Sequence, residues 1–281
     1  MTVRIDAHHH VWDLAVRRQP WAEPFPVLYR SYLLDDLLPS LAAGAIDRTV
    51  LVQTVTVAAE TPELLALAAN EPLLVGVVGW VDLTAPDVAD ELGRLHEGLG
   101  GRYLVGIRHQ VQEEDDVDWL AREPVRRGLC SVAAQQLAYD LVIRREQLPS
   151  AVSAARAIPE LRFVLDHGGN PAIAEGRVEP WRSDITAFAA LPNTAVKLSG
   201  LVTQAGPNWS VDDLRPYADH LLEAFGPARV LFGSDWPVCL LRASYEEVVS
   251  VAESLTAGLT VDERAAVFGG NAGAWYRLES A

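Results

Sequence analysis

The feature that most constrains the fold is the alternation of apolar, β-branched segments with helical segments along the whole chain. Helical periodicity or a helix-start signal, such as Thr61-Pro62-Glu63, separates the apolar runs. The pattern predicts eight strands, at residues 3–7, 49–54, 73–81, 104–109, 137–142, 162–167, 194–198 and 229–234. Eight strands that are each followed by a crossover favour an α/β fold, a single (β/α)8 TIM barrel.

An open, doubly wound sheet is the alternative architecture. It is disfavoured because no strand is followed by a glycine-rich dinucleotide fingerprint, and Gly98-Leu99-Gly100-Gly101 stands in the wrong context. The 281 residues are close to the roughly 250 that are usual for the barrel, so residues 1–281 are expected to form one barrel domain. The longest irregular stretch, residues 14–29, either covers the mouth of the barrel or closes its bottom.

Composition narrows the choice of partner and compartment. The net charge of −15 and the pI of about 4.8 argue against nucleic acid or an anionic membrane as a partner. Cys130 and Cys239 lie far apart, which argues against a disulfide framework. Because the sequence also shows no signal peptide and no apolar run of transmembrane length, a cytoplasmic location is expected.

The first predicted strand ends in three consecutive histidines, His8, His9 and His10. Side chains alternate along a strand, so His8 and His10 point the same way, with Cα atoms roughly 6–7 Å apart. Both imidazoles can then reach one metal ion or one substrate atom. A polar turn or a truncated purification tag is the alternative, although a tag is normally longer and is not continuous with a strand.

More chemically active side chains follow the later strands. Parallel barrels carry their reacting groups at the carboxyl ends of the strands, where Arg108, His109, His167, Lys197 and Asp235 stand. Arg108 could merely bridge carboxylates, His167 could cap a helix, and Lys197 could pair with an acid in the barrel wall. Asp235 has the strongest case for a chemical role, because a carboxylate directly after an apolar strand needs a partner or a function.

Several of these segments resemble one family in both order and spacing. They are Asp6-Ala7-His8-His9-His10-Val11-Trp12-Asp13, Gly106-Ile107-Arg108-His109, Phe163-Val164-Leu165-Asp166-His167, Lys197-Leu198-Ser199-Gly200-Leu201 and Leu231-Phe232-Gly233-Ser234-Asp235-Trp236-Pro237-Val238-Cys239. They are similar to the amidohydrolase superfamily, in its amidohydrolase-2 branch of fuconolactonase- and rhamnonolactonase-like sugar lactonases. Two departures stand near the expected pocket: Asn170 where the group often has Lys, and His9 where Gln is common. Substrate identity is therefore not carried over from any one relative.

The resemblance implies hydrolysis of a sugar lactone by water. Asp235 is the expected general base. His8, His10 and His167, with Asp235, would hold a divalent ion, for which Zn²⁺ is best suited, or the histidines would polarise the carbonyl directly. Relatives that work without metal leave metal dependence open.

Further residues are expected to contact the substrate. Arg108 and His109 would stabilise the oxyanion or bind ring oxygens, and both are candidate catalytic groups with Asp235 and His167. Aromatic side chains offer flat faces to a sugar ring, although packing is an alternative role. The candidates for this role are Trp12, Trp80, Tyr139 and Trp236.

Two other functions compete with the sugar lactonase. A pyrone-dicarboxylate-type lactonase or a metal-dependent decarboxylase should carry several arginines at strand ends, and only Arg108 is placed there. A barrel that only binds ligand should have lost Asp235 or the histidine pair, and both are present. The expected partner is a small-molecule lactone, and a homo-oligomer is possible.

Overall fold

Eight parallel strands pair in chain order in the computed structural model, which describes residues 3–279. The strands are Ile5–His9 (β1), Arg48–Val52 (β2), Leu74–Gly79 (β3), Leu104–His109 (β4), Ala138–Leu141 (β5), Arg162–Leu165 (β6), Thr194–Leu198 (β7) and Val230–Phe232 (β8). Backbone bonds from β1 to the turn after β8 close the ring, as the His10 amide donates to Trp236 O at 2.7 Å and the Asp235 amide to His8 O at 2.8 Å. The predicted (β/α)8 barrel is confirmed.

Most helices form the outer layer, and the C-terminal helix packs into the lower end of the barrel. The helices are Leu34–Ala43 (α1), Glu60–Asn70 (α2), Val88–Glu97 (α3), Glu123–Ala134 (α4), Leu148–Ala157 (α5), Trp181–Ala189 (α6), Leu201–Gln204 (α7), Val211–Phe225 (α8), Tyr245–Leu255 (α9), Val261–Ala265 (α10) and Asn271–Tyr276 (α11). Within residues 3–279, no helix is both long enough and apolar enough to cross a membrane.

Helix α4, between β4 and β5, contains a glycine that the structure accounts for. Gly128 interrupts this segment, and an internal glycine weakens a predicted helix. The structure explains the glycine, because a Cβ there would lie 2.3 Å from the carbonyl oxygen of Leu83. The close approach of α4 to the chain after β3 therefore requires a residue without a side chain.

The inside of the barrel is filled by side chains of the strands and by side chains of the C-terminal helix. Small and β-branched side chains, among them Ala7, Ala138 and Ala195, line its lower interior. The C-terminal helix α11 adds Ala272 and Tyr276 to the same buried cluster. The lower half of the barrel is thus a packed core, so the site must lie above it.

The irregular stretch 14–29 lies over the carboxyl ends of the strands. Its Gln19 side chain donates to the hydroxyl of Thr54, just after β2, at 2.9 Å. Trp21 packs edge-on against Trp12, with ring centroids 5.3 Å apart. Of the two placements that the sequence allowed, the mouth of the barrel is correct.

Two glycine substitutions test the packing of α4. Gly128→Ala should lower the free energy of unfolding by about 1–3 kcal/mol, because the added methyl group meets the Leu83 carbonyl. Gly93→Ala in α3 is the matched control, since a Cβ there has open space, and it should stabilise by about 0.5–1 kcal/mol. Urea denaturation measures both, and equal effects would contradict the contact.

Candidate active site

Asp235 and His167 reach the mouth of the barrel from turns with unusual backbone geometry. Asp235 has φ 58° and His167 has φ 55°, in the left-handed region that side chains rarely adopt. Such a conformation costs free energy and persists only where surrounding contacts fix it. Two backbone hydrogen bonds fix Asp235 in this conformation. Its amide donates to His8 O and its carbonyl accepts from the Cys239 amide, both at 2.8 Å.

Three imidazoles and one carboxylate converge at this point. Nε2 of His8 and Nε2 of His10 lie 3.1 Å apart, and each lies 3.6 Å from Oδ1 of Asp235. Nε2 of His167 lies 3.9 Å from the same oxygen. The other ring nitrogen of each histidine, Nδ1, has a separate partner. Nδ1 of His10 lies 2.8 Å from Val52 O, and Nδ1 of His167 lies 2.9 Å from the Ser199 hydroxyl.

Burial sets the protonation of these groups. Burial lowers the pKa of His10 to about 3, and the positive charge of Arg108 lowers it further. Burial also lowers the pKa of His167, although the negative charge of Asp235 acts in the opposite direction. The pKa of His8 falls well below its usual range because of burial and the Lys197 ammonium. Burial raises the pKa of Asp235. The site thus combines neutral imidazoles with a carboxylate that is more basic than an exposed one.

A charged network lies directly beneath. The Lys197 ammonium is fully buried and donates to Asp140 Oδ2 at 2.5 Å, with Asp166 Oδ1 at 2.9 Å and His8 Nδ1 at 3.0 Å. Arg108 Nη1 donates to the other oxygen of Asp166 at 3.1 Å. Burial alone would raise the pKa of Asp166, but Lys197, His8 and Arg108 hold it well below its usual range. Asp166 is therefore an anion that links both cations to His8.

The donor set fits a divalent metal ion. One ligand atom each from His8, His167 and Asp235 lies within 4.8 Å of the other two, and His10 stands beside them. Neutral imidazoles supply lone pairs, and nitrogen and oxygen donors of this kind suit zinc. The bond from His10 Nδ1 to a backbone carbonyl is the type of outer contact that orients metal-binding histidines.

A cavity of about 160 Å³ opens above these groups. Neutral hydrogen-bonding side chains form much of its rim, and Arg108 is the single Lys or Arg among the described residues that line it. Its lining comprises His10, Trp21, Thr54, Arg108, Gln110, Gln112, Glu113, Val142, His167, Asn170, Thr203, Gln204, Asp235 and Val238. Such a rim suits a small ligand rich in hydroxyl groups.

Trp80 and His109, which were both predicted to belong to the site, lie beside the cavity and are absent from its lining. His109 Nδ1 accepts from the Trp80 indole at 3.0 Å, and His109 Nε2 lies 2.8 Å from Glu114 Oε1. The His109 ring also stacks on Trp119 at 4.3 Å. Both ring nitrogens of His109 are thus engaged in contacts that hold the loop after β4, which carries the rim glutamines, and its predicted contact with the oxyanion stays a prediction.

Three aromatic residues that were predicted to bind substrate also lie outside the cavity lining. Tyr139 is fully buried and packs edge-on against Phe163, because alternate residues of β5 face the helices. Trp12 donates its indole proton to the Arg30 carbonyl at 2.6 Å, and the Trp236 ring packs on Tyr32. In the structure these three rings pack against neighbouring side chains, and contact of any of them with substrate stays a prediction.

Most residues of the cavity rim were not predicted from the sequence. Gln110 and Gln112 directly follow β4, so their position after a strand was the available signal. Trp21 lies in the mouth segment, where no periodicity indicates its direction. Asn170, noted only as a departure, has φ 52°, a conformation that asparagine tolerates well. Its side chain donates to Ile143 O at 2.8 Å and accepts from Gln204 at 3.0 Å.

Comparison with known proteins identifies the family. The model of the Amidohydrolase family matches residues 5–278. The L-fucono-1,5-lactonase of Burkholderia multivorans is 39% identical over 291 residues, and the match covers 98% of this chain and 96% of that protein. The L-fucono-1,5-lactonase of Burkholderia ambifaria is 36% identical over 284 residues, and the match covers 99% of this chain and 97% of that protein. A crystal structure of a Burkholderia multivorans amidohydrolase with bound zinc has a TM-score of 0.92 and 39% identity, covering 98% of this chain and 99% of that one. These matches confirm the resemblance seen in the sequence: the chain belongs to the amidohydrolase family.

Proposed function

We propose that this protein is a hydrolase that opens a neutral sugar lactone to its hydroxy acid. The observation that carries the proposal is the Asp235 carboxylate at the floor of a cavity lined largely by neutral hydrogen-bonding side chains, 3.6–3.9 Å from three neutral imidazoles. The full-length relatives that bear the name L-fucono-1,5-lactonase support the same reaction. We take sugar 1,5-lactones of that kind as the substrate class.

The reaction requires one proton acceptor, one proton donor and a polarised carbonyl. Asp235 takes a proton from water as the water oxygen forms a bond to the lactone carbonyl carbon. The bond from that carbon to the ring oxygen then breaks, and Asp235 returns the proton to the ring oxygen, which becomes a hydroxyl while the Asp235 carboxylate is restored. Arg108 lies at the cavity floor, where its positive charge stabilises the negative charge that develops on the carbonyl oxygen.

The rim favours a neutral substrate over a dicarboxylate. Each of the three Arg108 nitrogens already has a protein partner, in Gln53 or Asp166, so no free pair of N–H groups is left to bind both oxygens of a substrate carboxylate. Its charge still acts on a single nearby carbonyl oxygen. The carboxylate of Glu113 also lines the cavity and repels anions. These charges disfavour the alternative of a pyrone-dicarboxylate-type lactonase or a decarboxylase that acts on an acid.

A divalent ion would be held by His8, His167 and Asp235, with His10 adjacent, and we propose zinc. When bound, such an ion polarises a carbonyl oxygen and lowers the pKa of water. In either case the chain's own contribution is to orient the lactone against Asp235 and to exclude excess water from the cavity. The cytoplasmic location and the homo-oligomer stay predictions.

A hydrolysis screen tests the function. The protein should hydrolyse neutral aldono-1,5-lactones, including L-fucono-1,5-lactone, with kcat/KM at least about tenfold above that for lactones of similar size that carry an extra carboxylate. A pH indicator reports the acid that is released. Equal or better turnover of the carboxylated lactones would overturn the neutral-substrate assignment, and no turnover of any lactone would overturn the function.

Replacing the base is the second test. Asp235→Asn keeps the shape of the side chain but removes the proton acceptor, so kcat should fall by roughly 10²–10⁴-fold. In the wild type, activity requires the ionised carboxylate, so kcat/KM should rise with pH through a pKa above the ordinary aspartate value of about 3.9. The variant should lack this acid limb. Near wild-type kcat in Asp235→Asn would exclude Asp235 as the base.

Metal binding is tested without reference to activity. Metal-free protein should bind Co²⁺ with visible absorption bands of a nitrogen- and oxygen-bound ion, and His167→Gln should weaken that binding by at least about tenfold. His220→Gln is the matched control, because His220 is also buried but bonds to the α6 residues Thr186 and Arg182. If chelated protein binds no Co²⁺ and keeps full kcat, the histidines serve as hydrogen-bonding groups and the metal assignment is wrong.

A further inference from the structure

We propose that Tyr276, in the C-terminal helix α11, is a positioning residue that fixes His8 from beneath through Asp140 and Lys197. This inference rests on the proposed function, because it concerns the geometry of the groups that act on the lactone. Tyr276 enters the barrel from the end opposite the cavity and is not among the cavity-lining residues. Any effect it has on catalysis must therefore pass through other side chains.

The upper part of this connection is the Lys197 ammonium. An ammonium group has three protons to donate, and Lys197 has three partners in reach: Asp140 at 2.5 Å, Asp166 at 2.9 Å and His8 Nδ1 at 3.0 Å. Asp140 accepts one of these protons, Asp166 is paired with the ammonium by charge, and His8 contacts it through Nδ1, so the three partners together fix the direction of the ammonium. A shift of Asp140 would rotate the ammonium and change its contact with His8.

The lower part is the hydroxyl of Tyr276. It lies 2.9 Å from Oδ1 and 2.8 Å from Oδ2 of Asp140, so it approaches both oxygens of a carboxylate that is completely buried. The Tyr276 ring lies 5.5 Å below the Lys197 ammonium, within reach of a cation–π attraction. Tyr276 therefore contacts both members of the ion pair, one through its hydroxyl and the other through its ring.

The barrel interior is shaped to admit this side chain. Ala7, Ala138 and Ala195 belong to the same buried cluster, and their short side chains leave room for a large ring near the axis. Tyr276 is itself almost completely buried. A phenylalanine would fill the same space, so the hydroxyl is the part of the side chain that packing does not explain.

The decisive variant is Tyr276→Phe, which keeps the ring and removes the hydroxyl. Small displacements of reacting groups cost up to about 10²-fold in rate, so kcat on the best neutral lactone should fall by about 10–100-fold. KM should change by less than about twofold, since the cavity lining is intact. Tyr217→Phe is the matched control, because Tyr217 is also buried but packs on Trp181 in the outer layer, and its kcat should be unchanged.

A double-mutant cycle shows whether the effect passes through Asp140. Asp140→Asn alone should lower kcat, and adding Tyr276→Phe to it should cost much less than Tyr276→Phe costs in the wild type. Equal costs in both backgrounds would overturn the connection. Should Asp140→Asn not fold, the kcat and KM of Tyr276→Phe still decide the proposal, and circular dichroism verifies that this variant is folded.

The outcomes separate the inference from the function. A wild-type protein that is active, together with a folded Tyr276→Phe variant that has unchanged kcat, would overturn the positioning role and leave the lactonase assignment standing. A purely structural role would lower Tm without altering the kcat of the folded variant, and that result also contradicts the proposal. An inactive wild-type protein would instead refute the proposed function.

Discussion

The site depends on the burial of one ammonium group, that of Lys197, between two carboxylates. Removing an isolated cation from water is expensive, and it is tolerated only where ion pairs and hydrogen bonds replace the lost solvation. Asp140 and Asp166 supply those bonds, and Arg108 balances the second acid. The geometry of the Lys197–Asp140 ion pair in turn sets the positions of His8 above it and Tyr276 below it.

The same burial gives the reacting groups their chemical character. His8 and His10 lie where water cannot stabilise an imidazolium ion, and Lys197 and Arg108 add positive charge nearby, so both rings are neutral. Asp235 is also almost completely buried, which raises its pKa, so its carboxylate is more basic than an exposed aspartate. Neutral imidazoles beside a basic carboxylate serve either as metal ligands or as partners of an attacking water.

In the proposed function, the residues that select the substrate lie in a different layer from those that carry out the reaction. The floor of the cavity carries Arg108, the imidazoles and Asp235, whereas its rim carries amides, the Glu113 carboxylate and a tryptophan ring from loops, the layer of a barrel that varies most freely. His109 connects the two layers, because its contacts with Trp80 and Glu114 hold the loop that bears Gln110 and Gln112. A change of substrate could therefore arise in the rim without disturbing the buried pair.

The sequence alone determined the barrel, the positions of its strands within a few residues, and the convergence of His8, His10, His167 and Asp235. These features follow from local periodicity and from the rule that parallel strands end on one face. Only the tertiary structure decided that Tyr139 faces the helices, that His109 contacts Trp80 and Glu114, and that Tyr276, from the C-terminal end of the chain, enters the barrel. Each of those depends on contacts between residues distant in sequence, which no local pattern records.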